Sequence, residues 1–455
     1  MHRHQFETYL AKVFDWSCLV AALPEGRKNP PHPWPKVFSA VLLGSSCQFG
    51  PVHRIEAECK QGALRKRIGP LSEDAIGYAL QRQAPEPIFD LGCTVAKRLK
   101  RNGVLHSDWS RGRTVAAVDG IEICSSYCRC CEVCLERSVE RKVDGELQKC
   151  TQYYHRLSAV LLASTPFPVF LGIRFQKPGE TEVACSLALL KELSDRLGRR
   201  FIDVLVADAI YLQTPFIREV ESLGLEWVIN RKDNQPDLAA EAERLTNRPA
   251  DDHRATPQED LQIWHLPEVD WPVADRRVRG VKTVRVQKGK RVQIQKQDGS
   301  KVKVKTREPA PLLSPNYYAT NVDLGSIPPR FIHPLGRSRW TIDAQAFQTI
   351  TTDCHLKRPS VHPSGALIVL TMIRVLAYTL AMVFYHRQVR SHCRATPPSS
   401  CEMARQLAYQ FLPPRCDSSG GPSRRLVRAP IPDQFRCLSP GASALSSHFP
   451  PIGWR

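Results

Sequence analysis

A chain of 455 residues with 42% apolar side chains can build one large core or two to three ordinary ones, which excludes a predominantly disordered protein. Lysine and arginine number 64 against 45 aspartates and glutamates, and the formal net charge of +19 favours a polyanionic partner, such as nucleic acid or an anionic membrane surface. Sixteen cysteines follow an N-terminus that lacks an uninterrupted apolar signal-like segment, so we expect a cytosolic protein whose clustered thiols bind metal rather than form disulfides.

Residues 1–106 are predicted to be helical and basic. In LSEDAIGYALQRQ, Ser72 is a candidate N-cap because Glu73 and Asp74 follow it in the first helical turn. The stretch FDLGCTVAKRLKRNG ends in basic residues before an Asn-Gly pair, which is typical of a helix C-terminus. These signals predict a small helical domain at the start of the chain.

Residues 107–235 alternate predicted strands with predicted helices, a pattern that indicates an α/β layer architecture. Two apolar runs in this segment end on a carboxylate, VAAVDG at Asp119 and VLVADAIY at Asp208. Strands that each end in an aspartate can bring both carboxylates to one edge of a sheet, where a divalent ion would find the hard oxygen ligands that it prefers. The alternative is that each aspartate only caps a turn.

Residues 236–325 are predicted to form a basic β-rich insertion. Valine and isoleucine alternate with polar residues in VRVQKGKRVQIQKQDGSKVKVK, and Asp298-Gly299 is a hairpin turn signal. From 276 to 307 there are thirteen basic residues and one acidic residue. We expect this face to follow DNA phosphates, although an ordinary solvated sheet face is the alternative. The candidate DNA-binding residues are Arg276, Arg277, Arg279, Lys282, Arg285, Lys288, Lys290 and Arg291.

Residues 326–390 return to a core-like composition. RWTIDAQAF places Arg339 and Asp343 one helical turn apart, so Asp343 is a third candidate metal ligand, and an i,i+4 surface ion pair is the alternative. The apolar stretch 366–384, whose only charge is Arg374, predicts a helix inside a large core, with a membrane span as the alternative. The Pro-, Ser- and Arg-rich residues 391–455 are expected to form a disordered tail.

The order of these segments closely resembles that of the DDE transposases of bacterial insertion sequences. It comprises a strand with Asp-Gly, hairpin strands, a helix, a strand with DAIY, a β-rich insertion, and RW.ID opening a helix. The resemblance implies an α/β fold: a ribonuclease-H-like mixed sheet with flanking helices, interrupted by an antiparallel β insertion. It also implies that the small helical domain at 1–106 binds DNA. The similarity covers residues 110–388.

The resemblance assigns roles to individual residues. Asp119, Asp208 and Asp343 match the catalytic acidic positions, which implies two bound Mg²⁺ ions, replaceable by Mn²⁺, for cutting transposon ends and joining them to target DNA. Tyr211 and Arg339 match positions that would contact phosphate near the cleavage point. It further implies a bacterial cytosolic protein, no membrane partner and a dimer on DNA.

This sequence departs from the family pattern at three positions. Asp343 stands where relatives usually have glutamate, Ile350 stands where some relatives have a basic residue, and Gly336 stands where a tyrosine is expected. His362 resembles a histidine found before the apolar helix in relatives, although a lone histidine is more often a helix-cap or core residue.

A cysteine-rich segment follows Asp119. The spacing of Cys131, Cys134, Cys150 and His155 is that of a small Cys₃His zinc site. The competing ligands are Cys124, Cys128 and Cys130, and the alternative is a loop that carries reduced thiols.

Three interpretations of the whole chain therefore remain. The first is an Mg²⁺-dependent transposase. The second is a catalytically inactive DNA-binding protein derived from one, which rests on the residues at positions 343 and 350. The third is a membrane-associated protein, which rests on the apolar stretch 366–384 and the net charge.

Overall fold

The computed structural model describes residues 5–412 apart from short gaps at 106–107, 144–145, 232–234, 256–258, 288–290, 296–300, 306–314, 324–326, 359, 362 and 393–397. His362 and the tail from 413 onward therefore lie outside the described residues.

The N-terminal region is helical, as predicted. Its helices are α1 (Gln5–Phe14), α2 (Trp16–Ala21), α3 (Trp34–Ser46), α4 (Val52–Lys60), α5 (Glu73–Arg82) and α6 (Glu86–Arg101). The Ser72 hydroxyl caps α5 by accepting a hydrogen bond from the Ala75 amide at 3.2 Å. α6 ends immediately before Asn102, and its last turn carries the predicted basic side chains.

The next segment forms a mixed sheet with helices on its faces. Its elements are β1 (Val115–Ser126), β2 (Leu135–Val143), β3 (Glu146–Leu162), β4 (Val169–Phe175), α7 (Glu182–Leu197), β5 (Val204–Ala207), α8 (Thr214–Ser222), β6 (Glu226–Arg231) and α9 (Pro236–Leu245). The spatial order is β4, β3, β1, β5, β6, in which β3 is antiparallel to β1 whereas β5 and β6 run parallel to it. This is the strand arrangement of a ribonuclease-H-like sheet, so the predicted fold is confirmed.

The insertion extends this same sheet. Its strands are β7 (Asp252–Ala255), β8 (Glu259–Trp271), β9 (Arg276–Gln287), β10 (Arg291–Gln295), β11 (Lys301–Lys305) and β12 (Asn316–Thr320). β12 pairs with β6 on one side and with β9 on the other. β10 and β11 form the predicted hairpin, although its Asp298-Gly299 turn lies outside the described residues. Within the described residues, ten strands form one sheet and β10 and β11 a second.

The remaining helices complete the core. They are α10 (Pro329–Ser338), α11 (Gln348–Thr352), α12 (Ser364–Phe384) and α13 (Ser400–Phe411), and a π-helical turn, Ile342–Phe347, precedes α11. By length and composition, the helical stretch Ser364–Val389 could cross a membrane, but 83% of its most apolar window is buried inside the protein. α12 packs against α3, α5 and β4, which is the position of a core helix.

Arg374 lies in the middle of this apolar helix and is 3% exposed. Its guanidinium donates hydrogen bonds to the carbonyl oxygens of Gly50, at 2.6 Å, and of His355 and Arg358. These bonds satisfy a buried cation and three carbonyls, and join the N-terminal helices to the segment before α12.

The prediction of a disordered tail from 391 is wrong for residues 400–411. The Ser399 hydroxyl caps α13 by accepting a hydrogen bond from the Glu402 amide, and Met403, Leu407 and Phe411 are buried. The segment is apolar at helical spacing, which the surrounding Pro- and Ser-rich composition obscures.

Candidate active site

Asp119 and Asp208 follow neighbouring strands of the ribonuclease-H-like sheet. The parallel pairing of β1 with β5 ends at Ala117 and Val206, and each aspartate lies two residues beyond this last pair. Both preceding apolar runs are buried, which fixes the register of the pairing. The two aspartates therefore follow the same end of the β1–β5 pairing, and the meeting of their carboxylates stays a prediction.

Each of these aspartates also orders its own strand end. The Gly120 amide donates to Asp119 Oδ1 at 2.8 Å, and the Ala209 amide donates to Asp208 Oδ1 at 2.7 Å. The turn-capping alternative is thus also realised. Capping does not exclude metal binding, because a carboxylate has further oxygen lone pairs with which to bind an ion.

Asp343 reaches the same place through Arg339. Arg339 Nη1 lies 3.1 Å from Asp119 Oδ2 and 2.8 Å from Asp343 Oδ2. The predicted i,i+4 ion pair is present, but it is not a surface pair, because the Arg339 side chain is only 9% exposed and also binds Asp119. Asp119 and Asp343 therefore belong to one cluster.

The electrostatics of the cluster favour a bound cation. Burial, and then the charge of Asp343, raise the pKa of Asp119 to about 7, against the opposing effects of the Gly120 amide and Arg339. A carboxyl group in such surroundings is neutralised by a proton or by a positive ion. Three aspartates with oxygen donors form the ligand set that Mg²⁺ prefers.

A fourth acidic residue, Glu182, joins the cluster and was not predicted. It is the first residue of α7, pairs with Arg156 and accepts a hydrogen bond from the Tyr211 hydroxyl at 3.1 Å. A Cβ atom at position 120 would lie 2.5 Å from Glu182 Oε1, which explains the glycine after Asp119. In the sequence, Glu182 resembles any acidic residue in a first helical turn, so it carries no distinguishing signal.

Tyr211 is completely buried. Its hydroxyl group lies 3.0 Å from the Ser186 hydroxyl and donates to Glu182. Burial raises the pKa of Tyr211 well above its usual value. The phosphate contact that the resemblance implies stays a prediction; in this structure the hydroxyl group positions Glu182.

The glycine at position 336 has a structural cause. A Cβ atom there would lie 2.1 Å from Cε1 of Tyr318, so the ring of Tyr318 from β12 fills the space beside α10. Ile350 is completely buried, in a place unsuited to the basic side chain of some relatives. Both departures from the family pattern are therefore accommodated by packing in this chain.

Replacing Gly336 with alanine is expected to destabilise the fold by about 1–3 kcal/mol, because the buried Tyr318 ring must move. The matched control is Gly77→Ala in α5, where nothing lies within 4 Å of the added methyl group and alanine should stabilise the helix by up to about 1 kcal/mol. Denaturant unfolding measures the change in the free energy of unfolding, which should be negative for Gly336→Ala and positive for Gly77→Ala. Equal stability of the two variants would contradict the predicted clash.

The cysteine-rich segment also gathers into a cluster. Cys131 Sγ, Cys134 Sγ and His155 Nε2 lie 3.2–3.4 Å from one another, so three of the four predicted zinc ligands could hold a metal ion. Cys150 is the exception. It lies five residues from His155 along β3, on the opposite face of the strand and about 17 Å away, so it is not a ligand of this cluster.

Several described basic residues of the insertion are bound by other groups of the protein. Arg276 pairs with Glu221, Arg277 with Glu268 and Asp270, and Lys282 with Glu243, while buried Arg279 donates to the carbonyl oxygens of Val322 and Ile327. Lys288 and Lys290 lie outside the described residues, and only the backbone of Arg291 is described, in β10. Their DNA contacts stay predictions.

A second group of basic residues surrounds the buried ring of His333. Burial, and then the positive charges of Arg337 in α10, Arg285 in β9 and Arg254 in β7, lower the pKa of His333 to about 3.

A ribonuclease-H-like sheet with Asp119 and Asp343 joined by Arg339, and with Asp208 after the neighbouring strand, is consistent with a DDE-type domain. The family model described as the transposase DDE domain matches residues 136–380, a little over half of the chain, and the chain belongs to this family. Asp208 and Asp343 lie within the matched residues, whereas Asp119 precedes them.

Among solved structures, the chain is similar to a piggyBac transposase in a synaptic complex with hairpin DNA. The two are 11% identical with a TM-score of 0.38, over 88% of this chain and 77% of that chain. A search of curated protein sequences found no significant match.

Proposed function

We propose that this protein is an active DNA transposase that cuts the ends of a transposon and joins them to target DNA. The observation that carries the proposal is the carboxylate cluster, in which Arg339 connects Asp119 with Asp343 beside the strand end that bears Asp208. The family supports the same reaction class, metal-dependent phosphoryl transfer.

The donor set fits Mg²⁺. Asp119, Asp208 and Asp343 would hold two Mg²⁺ ions, or Mn²⁺ in their place, and when bound these ions polarise the phosphate and activate the attacking oxygen. The chain itself supplies the positioning. Glu182, fixed by Tyr211 and Arg156, supports the buried side of Asp119, and Arg339 offers a guanidinium for the phosphate beside the cleaved bond.

One observation favours a second candidate, a catalytically inactive DNA-binding protein. Arg339 already occupies one oxygen of Asp119 and one of Asp343, and aspartate at position 343 is one methylene group shorter than the usual glutamate. A protein locked in this arrangement would bind transposon ends without cutting them.

Purified protein incubated with DNA from the flanks of its own gene and with Mg²⁺ or Mn²⁺ tests both candidates. We expect strand cleavage and transfer to depend on the added ion. DNA binding without cleavage in either ion would contradict the enzymatic proposal and support the second candidate. Imperfect inverted repeats with short direct duplications around the gene would establish the proposed bacterial insertion-sequence origin. Cell fractionation tests the proposed cytosolic location, and the mass of the DNA complex tests the proposed dimer.

The group of Arg254, Arg285 and Arg337 is proposed as a phosphate-binding surface that leads DNA to the carboxylates. The double variant Arg285→Ala/Arg337→Ala is expected to weaken binding to transposon-end DNA and to lower the slope of log affinity against log salt by about 2, one unit for each lost phosphate contact. Fluorescence anisotropy at several salt concentrations measures the slope.

Arg277→Ala is the matched control for this surface. Arg277 lies on the same strand as Arg285 but at the other end of β9, where it pairs with Glu268 and Asp270. An unchanged slope is expected for the control. If the control lost as much DNA affinity and salt slope as the double variant, the DNA would instead contact the other end of β9.

A further inference from the structure

We propose that Cys124, Cys131, Cys134 and His155 bind a structural Zn²⁺ ion that anchors the β2–β3 hairpin to β1. Three of the four ligand atoms are already gathered. Cys131 Sγ lies 3.2 Å from Cys134 Sγ, and His155 Nε2 lies 3.3 Å and 3.4 Å from the two sulfur atoms. Ligand atoms of tetrahedral zinc are about 3.5–3.8 Å apart, so the site needs to widen by only a few tenths of an ångström.

The local structure holds these groups in place. The Cys131 amide donates a hydrogen bond to Cys134 Sγ, at 3.1 Å, which holds the two cysteines in one turn. His155 is 8% exposed, and its ring packs edge-on against Phe175 with 6.1 Å between ring centroids. Every cysteine in this part of the described chain is a free thiol.

Cys124 is the fourth ligand that the sheet register selects. It pairs directly with His155 across the antiparallel β1–β3 ladder, and residues paired in this way present their side chains on the same face about 5 Å apart. Cys128 and Cys130 are exposed.

The hairpin itself explains why a metal is needed. β3 pairs with β1 only from Tyr153 onward, so the described residues 137–143 and 146–152 form a two-stranded ribbon without a third strand. Most side chains of this ribbon are exposed, and isolated two-stranded hairpins are marginally stable in water. The proposed ligands lie at its base, since Cys134 immediately precedes β2 and His155 follows the last β3 residue that pairs with β2. Zinc would join three strands where the hairpin leaves the sheet.

Elemental analysis of the full-length chain, purified without chelator and with zinc in all buffers, tests the proposal. We expect one zinc ion per chain, and a near-complete loss in Cys131→Ser and Cys134→Ser. Cys150→Ser and Cys128→Ser are the matched controls, and both should keep the ion. Cys134→His places another zinc ligand at this position and should bind zinc, unlike Cys134→Ser. This comparison separates the loss of a ligand from misfolding.

Replacement of zinc by Co²⁺ tests the identity of the fourth ligand. Three thiolates give a sulfur-to-cobalt charge-transfer band that should fall by about one third in Cys124→Ser, because each thiolate contributes to it. An unchanged band would assign the fourth position to another group. Absence of zinc from the wild-type chain, or loss of zinc from Cys150→Ser, would overturn the site. These readouts do not depend on DNA cleavage, so failure of the proposed function would leave them unaffected.

Chelation provides an independent measurement. Removal of zinc should increase amide hydrogen exchange in residues 126–156 while leaving β5 and β6, in the middle of the sheet, unchanged. Exchange that rises equally in both regions, or in neither, would contradict an anchoring role at the base of the hairpin.

Discussion

Replacing Asp208 with alanine is expected to abolish Mg²⁺-dependent strand cleavage while leaving binding to transposon-end DNA largely intact. Asp208 directly follows the buried strand β5, so under the proposed function its loss removes a metal ligand without disturbing that strand. Metal-based charge stabilisation is worth several kcal/mol, so the cleavage rate should fall by about 10³-fold or more. A gel assay of cleaved transposon-end DNA and a binding titration measure the two effects separately.

Asp195→Ala is the control for this experiment, because Asp195 is an exposed carboxylate on α7, away from the sheet edge. It should cleave at the wild-type rate. Cleavage retained by the Asp208 variant would remove this residue from the site, and a parallel loss of DNA binding would indicate a structural role instead.

Asp119→Asn is expected to make the metal-free protein more stable at neutral pH. The pKa of Asp119 is raised to about 7 from an ordinary value of 3.8, so the folded state binds this proton more tightly than the unfolded state does. The stability contributed by this group is therefore fully present below about pH 4 and is lost as the pH rises through about 7. A difference of about three pKa units corresponds to roughly 4 kcal/mol, an upper estimate for the gain in the variant.

Denaturant unfolding in EDTA, at about pH 5 and about pH 8, measures this effect as the difference between the wild type and the variant. The gain should be small at the lower pH and larger at the higher pH. Added Mg²⁺ should stabilise the wild type at the higher pH and have little effect on Asp119→Asn. A variant that is equally or less stable than the wild type at both pH values would show that Asp119 is not held in an unfavourable charged state.

Local sequence patterns were sufficient for the core of the fold. Four consecutive apolar residues before Asp119, and four before Asp208, are each long enough to define a buried strand, and burial on both faces leaves little freedom of register. The order of strands and helices then restricts the topology to a few arrangements. This explains why the mixed sheet, and the position of Asp119 and Asp208 after neighbouring strands, could be predicted.

Patterns along the chain were insufficient where the partner of a residue is distant in sequence. The basic insertion has one acidic residue between 276 and 307, yet Glu221, Glu243 and Glu268 neutralise its arginines and a lysine from outside that range. The same limit applies to Glu182, whose place beside Asp119 depends on how α7 packs on the sheet. In each case the two partners are close in space but far apart in the sequence, so no local sequence pattern predicts their contact.

The zinc ligands show both kinds of information in one site. The spacing of Cys131 and Cys134 and the nearby His155 are readable as a metal motif, whereas the choice between Cys150 and Cys124 depends on strand pairing. Cys150 and His155 are an odd number of residues apart along β3, so their side chains lie on opposite faces of the strand. The β1–β3 register places Cys124 opposite His155.

Hydrophobic periodicity and short polar motifs thus established the elements, the fold class and the candidate ligand types, because burial and local backbone preference act over a few neighbouring residues. Tertiary packing alone established which charges are paired, which acidic side chain lies near Asp119, and which cysteine lies opposite His155. Those outcomes depend on Coulomb interactions and on contacts between strands and helices that fall off within a few ångströms of space, however far apart the residues lie along the chain.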